Sequence, residues 1–171
     1  DISIVEYNPE ATVKKKMFYT SIYNIMTDDE ESDEKIISYL KGYNIKIDSY
    51  TLRDNITREE ALSATVSMLG YTYRNLSGDE LLSAATQLGV RKYVTGNMNE
   101  DITIKEVINL LGGAIEAEMV TIKLDATPSG YSYEKIPNTT PLMFYKDTYY
   151  VKGTVTKNKY ASVIDNTPAV K

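Results

Sequence analysis

The chain contains no cysteine, no histidine and no tryptophan among its 171 residues. The first two absences exclude thiol nucleophiles, disulfide scaffolds, zinc fingers, haem–histidine ligation and every catalytic apparatus that turns on an imidazole. A basic excess is missing too. Nineteen Lys and Arg stand against 24 Asp and Glu, a net charge of −5, so binding of nucleic acid by phosphate neutralisation is not expected. The longest apolar runs, such as residues 107–115, are interrupted and too short for a membrane span. What is present is ordinary for a folded soluble protein: 42% hydrophobic and 25% charged residues. The length suits one domain or two small ones. Any chemistry must come from carboxylates, hydroxyls, amides, Lys or Arg.

None of these residue types falls into a recognisable catalytic pattern. The stretch Asn97-Met98-Asn99-Glu100-Asp101 invites a calcium-loop reading, but it lacks the glycine and the bidentate glutamate that such a loop requires. Glu59 and Glu60 are adjacent on a helix, hence about 100° apart, and do not flank one substrate. Gly112-Gly113 has no Lys-Ser/Thr run after it and reads as close packing or a helix end. The sequence therefore predicts a non-enzyme with no cofactor and no metal.

Asp1 in place of Met suggests a processed or trimmed chain. Residues 1–117 carry 12 basic and 19 acidic side chains, residues 118–171 seven lysines and five acids. The hydrophobic pattern changes at the same place, from helical period to alternation. The expected fold class is α+β: a helical repeat region over 1–117, then a small antiparallel β subdomain over 118–171.

Self-similarity organises the helical region. Asp33-Glu34 matches Asp79-Glu80, and Asn55-Ile56-Thr57-Arg58-Glu59-Glu60 matches Asp101-Ile102-Thr103-Ile104-Lys105-Glu106, all at an offset of 46 with no gap. Short helices are predicted over 33–41 and 79–88, ending near Gly42 and Gly89 as left-handed caps. Longer helices are predicted over 58–69 and 104–115. Thr57-x-x-Glu60 and Thr103-x-x-Glu106 read as capping boxes, each with an isoleucine before it placed for a hydrophobic staple. A worn copy over 10–27 aligns at an offset of 44, which sets Val13 on Thr57, Lys14 on Arg58 and Lys16 on Glu60. The copies thus span about 10–27, 33–70 and 79–116. The acidic run at 28–34 reads as a linker whose charge suits the helix start at 33.

The stretches ITREEALSATVSMLGY (56–71), DELLSAATQLGV (79–90) and DITIKEVINLLGGAI (101–115) resemble S-layer homology repeats, here in degenerate form. The resemblance implies three repeats in a pseudo-threefold helical arrangement. It also implies non-covalent attachment of an exported bacterial protein to pyruvylated secondary cell-wall polysaccharide, and hence a place at the cell wall or cell surface. Carried over residue by residue, it offers Arg58 as the grip on an anionic sugar, with Lys14 at the matching position of the worn copy and the Thr57 hydroxyl nearby. Arg58→Ala is then expected to weaken wall retention while leaving the melting temperature nearly unchanged. The alternative is an assembly module that contacts other surface-protein subunits and binds no glycan.

Beyond residue 117, residues 119–124 alternate and predict a strand, and residues 125–130 form a turn cluster. Residues 142–145 and 149–151 are expected to pair as a hairpin, residues 153–156 and 160–164 as a second one. Pro137 and Pro141 bracket a loop, and residues 165–171 read as a frayed or linking end. Tyr131, Tyr133, Tyr145, Tyr149, Tyr150 and Tyr160 suit cross-strand pairs, sugar stacking or an interface rim.

Overall fold

A computed structural model describes residues 8–126 and 130–148 of the chain. The protein is α+β. Three long helices, α1 (Lys15–Met26), α3 (Arg58–Met68) and α5 (Ile104–Ile115), alternate with two short ones, α2 (Asp33–Gly42) and α4 (Gly78–Gln87). An antiparallel hairpin follows, β1 (Val120–Leu124) against β2 (Tyr131–Lys135), then a short helix α6 (Pro141–Lys146). Val120 pairs with Lys135 and Leu124 with Tyr131.

The long helices start at a closed ring of backbone hydrogen bonds. Val13 N–H donates to the Ile102 carbonyl (3.2 Å), Ile102 N–H to Ile56 (3.0 Å), and Ile56 N–H to Val13 (2.9 Å). Isolated bridges Lys14–Asn55, Thr57–Asp101 and Thr103–Thr12 surround it in the same cyclic order. The three residues are fully buried, because a half-extended apolar residue ahead of each helix can place its side chain in the core while its amide serves a neighbouring copy. Three copies therefore close about an approximate threefold axis, and α1, α3 and α5 touch pairwise.

This ring fixes the register of the first copy. Lys14, Thr57 and Thr103 are equivalent, as the three residues ahead of the helices, so the offset is 43 and not the expected 44. The basic residue matching Arg58 is Lys15, not Lys14, and Met17 stands where Glu60 does. Burial agrees: Phe18, Tyr19, Ile22, Tyr23 and Met26 face the core, while Met17 is about half exposed. Two aromatic side chains on the inner face of α1 compensate for the volume that Ala61 and Leu62 leave on α3.

The short helices also shift. Ser32 and Ser77 precede them, an offset of 45 where 46 was expected. Their ends repeat faithfully. Asn44 N–H donates to Lys41 and Ile45 N–H to Leu40, just as Gly89 donates to Thr86 and Val90 to Ala85. Asn44 (φ 59°) and Gly89 (φ 76°) take the left-handed position that closes such an end. Gly42, expected in this role, is the last helical residue, and asparagine takes over because its short polar side chain tolerates that conformation. In space each short helix packs on the long helix before it, α2 on α1 and α4 on α3. After α5 the described chain passes directly into the hairpin and not into a counterpart of α2 or α4, and Ile108 is exposed where its counterpart Leu62 is fully buried.

Residues 142–145, expected as a strand, form α6. Thr140 is extended, Pro141 opens the helix and Asp147 ends it at φ 48°. A proline at the first helical position has no amide to waste and a φ already suited to the helix, which outweighs the β-preference of Phe144 and Tyr145. The helix packs on α1. Tyr145 Oη donates to the Met68 carbonyl (2.9 Å), and Lys146 Nζ reaches the Thr27 carbonyl and the Asp28 carboxylate. Strand β2 was not anticipated, although Tyr131 and Tyr133 alternate with polar residues. The expected strands at 149–151, 153–156 and 160–164, with the end at 165–171, lie outside the described residues.

Candidate functional site

The functional candidates gather where one copy meets the next. Both capping boxes are formed. The Thr57 hydroxyl accepts from Glu60 N–H (3.2 Å) while the Glu60 carboxylate accepts from Thr57 N–H (3.0 Å). Thr103 and Glu106 repeat this at 3.3 and 3.1 Å. Each box satisfies two helix-end amides reciprocally, so Thr103→Ala is expected to cost about 1 kcal/mol, read as a lower midpoint in urea unfolding.

The same glutamates receive a cation from the preceding copy. Arg58 Nε donates to Glu106 Oε1 (2.8 Å), and its Nη1 to Glu100 Oε2 (3.0 Å) and to the Asn97 carbonyl (3.3 Å). Its side chain is only 13% exposed. One seam earlier, Lys15 Nζ meets Glu60 Oε1 at 2.6 Å. At the third seam the equivalent positions hold Ile104 and Met17, and the charged pair is replaced by two apolar residues. Arg58 is thus spent on protein partners, and a ligand at its guanidinium must displace Glu100 or the Asn97 carbonyl.

Burial pushes the Glu106 carboxyl up, but the hydrogen bonds from Arg58 and Thr103 together outweigh it and hold the group below its ordinary value. The sign is that of a depressed acid. The stabilisation is complete above the unfolded value near 4.5 and is lost as pH falls through the lower folded value. Glu106→Gln is expected to remove part of the acid dependence of the melting temperature below pH ~4.5.

The residues around the Asn97–Asp101 stretch serve the fold. Asn97 Oδ1 accepts from Asn99 N–H, Glu100 faces Arg58, and Asp101 accepts from Asn55 Nδ2 at 2.6 Å. Among the described residues no group of three or more carboxylates is arranged to hold a metal.

A groove of about 490 Å³ opens at the seam between copies 1 and 2. It presents Lys15, Lys41 and Lys46 with Asp48 and Glu60, and the carboxamides of Asn44 and Asn75, which lie 3.1 Å apart. Tyr19 forms part of its wall, its hydroxyl donating to the Lys46 carbonyl (2.9 Å). Burial raises the Tyr19 hydroxyl well above its ordinary pKa, aided by the Glu60 charge, so it remains a donor at any physiological pH. Thr57 lines a smaller adjoining recess with Lys46 and Ser63. Among the described residues Lys41 and Lys46 make no ion pair.

A scan of family models, a search of curated proteins and a search of solved structures all find no match. The geometry therefore carries the argument. Of the three residues offered as ligands, Thr57 lies at the first seam and Arg58 at the second. Lys14 lines a separate groove with Met17, Leu52 and Arg53. Lys41, Lys46, Asn44 and Asn75 were missed as site residues. Nothing local marks these four in the sequence, because the seam brings Lys15 together with residues within 41–48, Glu60 and Asn75.

Proposed function

We propose that the chain is a non-catalytic module that attaches an exported bacterial protein to anionic cell-wall polysaccharide. The observation that carries this reading is the groove at the first seam, where three ammonium groups face two carboxylates in a protein that is acidic overall. Lys41 and Lys46 supply charge for a ketal carboxylate, and the paired Asn44 and Asn75 carboxamides line the groove beside them. The likeness of residues 56–71 to S-layer homology repeats, and the threefold closure of the copies, support the same reading.

The test is retention on purified sacculi, with and without chemical removal of the secondary polysaccharide. The Lys41→Ala/Lys46→Ala double variant is expected to lose about tenfold in apparent affinity, and added salt to weaken wild-type retention as exposed charges are screened. Retention that survives removal of the polysaccharide rules the proposal out.

A second reading, an assembly module contacting other surface subunits, draws on Ile122 and Leu124. They share one face of β1, and Leu124 is 82% exposed. Leu124→Lys should then abolish an oligomer seen by sedimentation of the wild type. A wild type that stays monomeric at high concentration removes this reading.

A further inference from the structure

A second cleft lies away from the seams, between α4 and the hairpin. Its volume of about 580 Å³ falls within the ~300–1,000 Å³ of clefts that enclose small ligands. One side is aromatic. Tyr131 and Tyr133 lie two residues apart on β2 and so share a face of the strand. Tyr133 packs on Tyr71 with ring centroids 4.1 Å apart and planes inclined by 34°. Tyr131 packs on Tyr73 at 4.5 Å with planes inclined by 54°, and Tyr73, 63% exposed, extends the aromatic wall beyond the cleft. Two segments about sixty residues apart thus bring four tyrosines together, and the Tyr131 and Tyr133 planes meet at 88° with centroids 5.9 Å apart, forming a corner. The polar lining comes from α4 and the turn before it: Asp79, Glu80, Ser83, Gln87 and Arg74.

The charge of this cleft selects its ligand class. Arg74 is bound to Glu80 at 2.7 Å, which neutralises both and leaves the Asp79 carboxylate. An anion is therefore disfavoured here, in contrast to the seam with its three lysines. A pyranose ring presents a face of C–H groups that matches a tyrosine ring, and a rim of paired hydroxyls that matches carboxylate and carboxamide side chains. Gln87 is already oriented, its Oε1 accepting from Tyr71 Oη at 3.2 Å, and its amide hydrogens are left to donate. We propose that this cleft binds a neutral hexopyranose chain, with Tyr131 as the stacking ring, Tyr133 as the wall at right angles to it, and Asp79 and Gln87 as the hydroxyl contacts. The assignment does not rest on the wall-attachment reading, because it concerns a different cavity and a ligand of different charge.

Calorimetric titration of the full chain with three soluble probes tests it: chitohexaose and cellohexaose as neutral chains, and hexagalacturonate as an anionic one. Saturable binding of at least one neutral probe, tighter than the anionic one, is expected. Tyr131→Ala should weaken it about tenfold or more. Ser83→Trp, at an exposed α4 position, should block the cleft equally without touching the core, so the result stands even if Tyr131→Ala loosens the hairpin. Lys41→Ala/Lys46→Ala should leave the titration unchanged. The proposal is overturned by absence of binding to both neutral probes, by preference for the galacturonate, or by binding that survives Ser83→Trp. Loss of neutral-sugar binding in the lysine double variant also overturns it, since the sugar then occupies the seam. Failure of sacculus retention has no bearing on these titrations.

Discussion

Replacing Arg58 by alanine is expected to destabilise the protein by about 2–3 kcal/mol, the scale of charge-assisted hydrogen bonds whose surviving partner stays largely out of water. For a chain of this size the melting temperature should fall by roughly 4–12 °C. The guanidinium joins three groups of the next copy: the Glu106 carboxylate that also caps α5, the Glu100 carboxylate and the Asn97 carbonyl. Its removal leaves the largely buried Glu106 carboxylate with Thr103 in the capping box and the Thr95 amide as its remaining partners. Arg58→Lys should recover only part of the loss, because an ammonium on a flexible stem does not reproduce the planar fork that serves Glu106 and Glu100 together. Thermal melting by circular dichroism measures both variants. This outcome is opposite to the one expected of a residue kept for a ligand alone, for which truncation leaves the melting temperature in place. An unchanged midpoint for Arg58→Ala would therefore remove the ion-pair network from the account of stability.

Gly70→Ala should separate the hairpin from the helical body. Gly70 has φ +115°, and a Cβ there runs into the Val120 carbonyl. The backbone strain is worth about 1–3 kcal/mol, and the overlap about as much again, because the obstacle is main chain on both sides. The junction is tight for a reason visible in the hydrogen bonds. Val120 N–H donates to the Leu69 carbonyl at 2.8 Å, and Tyr71 N–H turns back to Val66 at 3.3 Å. One glycine thus both ends α3 and seats β1. Hydrogen exchange should show the Val120 amide losing protection in the variant, and limited proteolysis should cut between β1 and β2. Equal protection in the two proteins would mean that the hairpin is held by its tyrosines and not by this junction. Gly113 poses a related constraint, since a Cβ there meets the Tyr93 ring, but a side chain has more room to yield than a backbone carbonyl.

What could be read from the sequence was local. Thr57-x-x-Glu60 and Thr103-x-x-Glu106 announce helix starts because the capping hydrogen bonds run within four residues, and α3 and α5 begin where those motifs place them. The copy without the motif could not be placed so well. Lys14 and Met17 stand at the cap positions of α1, so only the ring through Val13, Ile56 and Ile102 decides its register. The fate of Arg58 was hidden for a similar reason, as Glu106 lies 48 residues away in the chain. The β-former content of residues 142–145 pointed to a strand, and Pro141 at the first position of α6 decided otherwise. The tyrosine cleft was half visible: the alternation at 131–133 marks one aromatic edge, but nothing local brings Tyr71 and Tyr73 to it.

The cyclic hydrogen bonding has a further consequence for how the module comes apart. A linear solenoid frays from its terminal repeats and tolerates loss of one, since each unit leans only on its neighbours. A ring has no terminal unit. Deleting any one copy strips an amide partner from one survivor and a carbonyl partner from the other, so a two-copy fragment forfeits the closure that defines the core. Unfolding should accordingly be a single concerted event across all three copies, and shortened versions of this helical region should be unfolded instead of merely smaller.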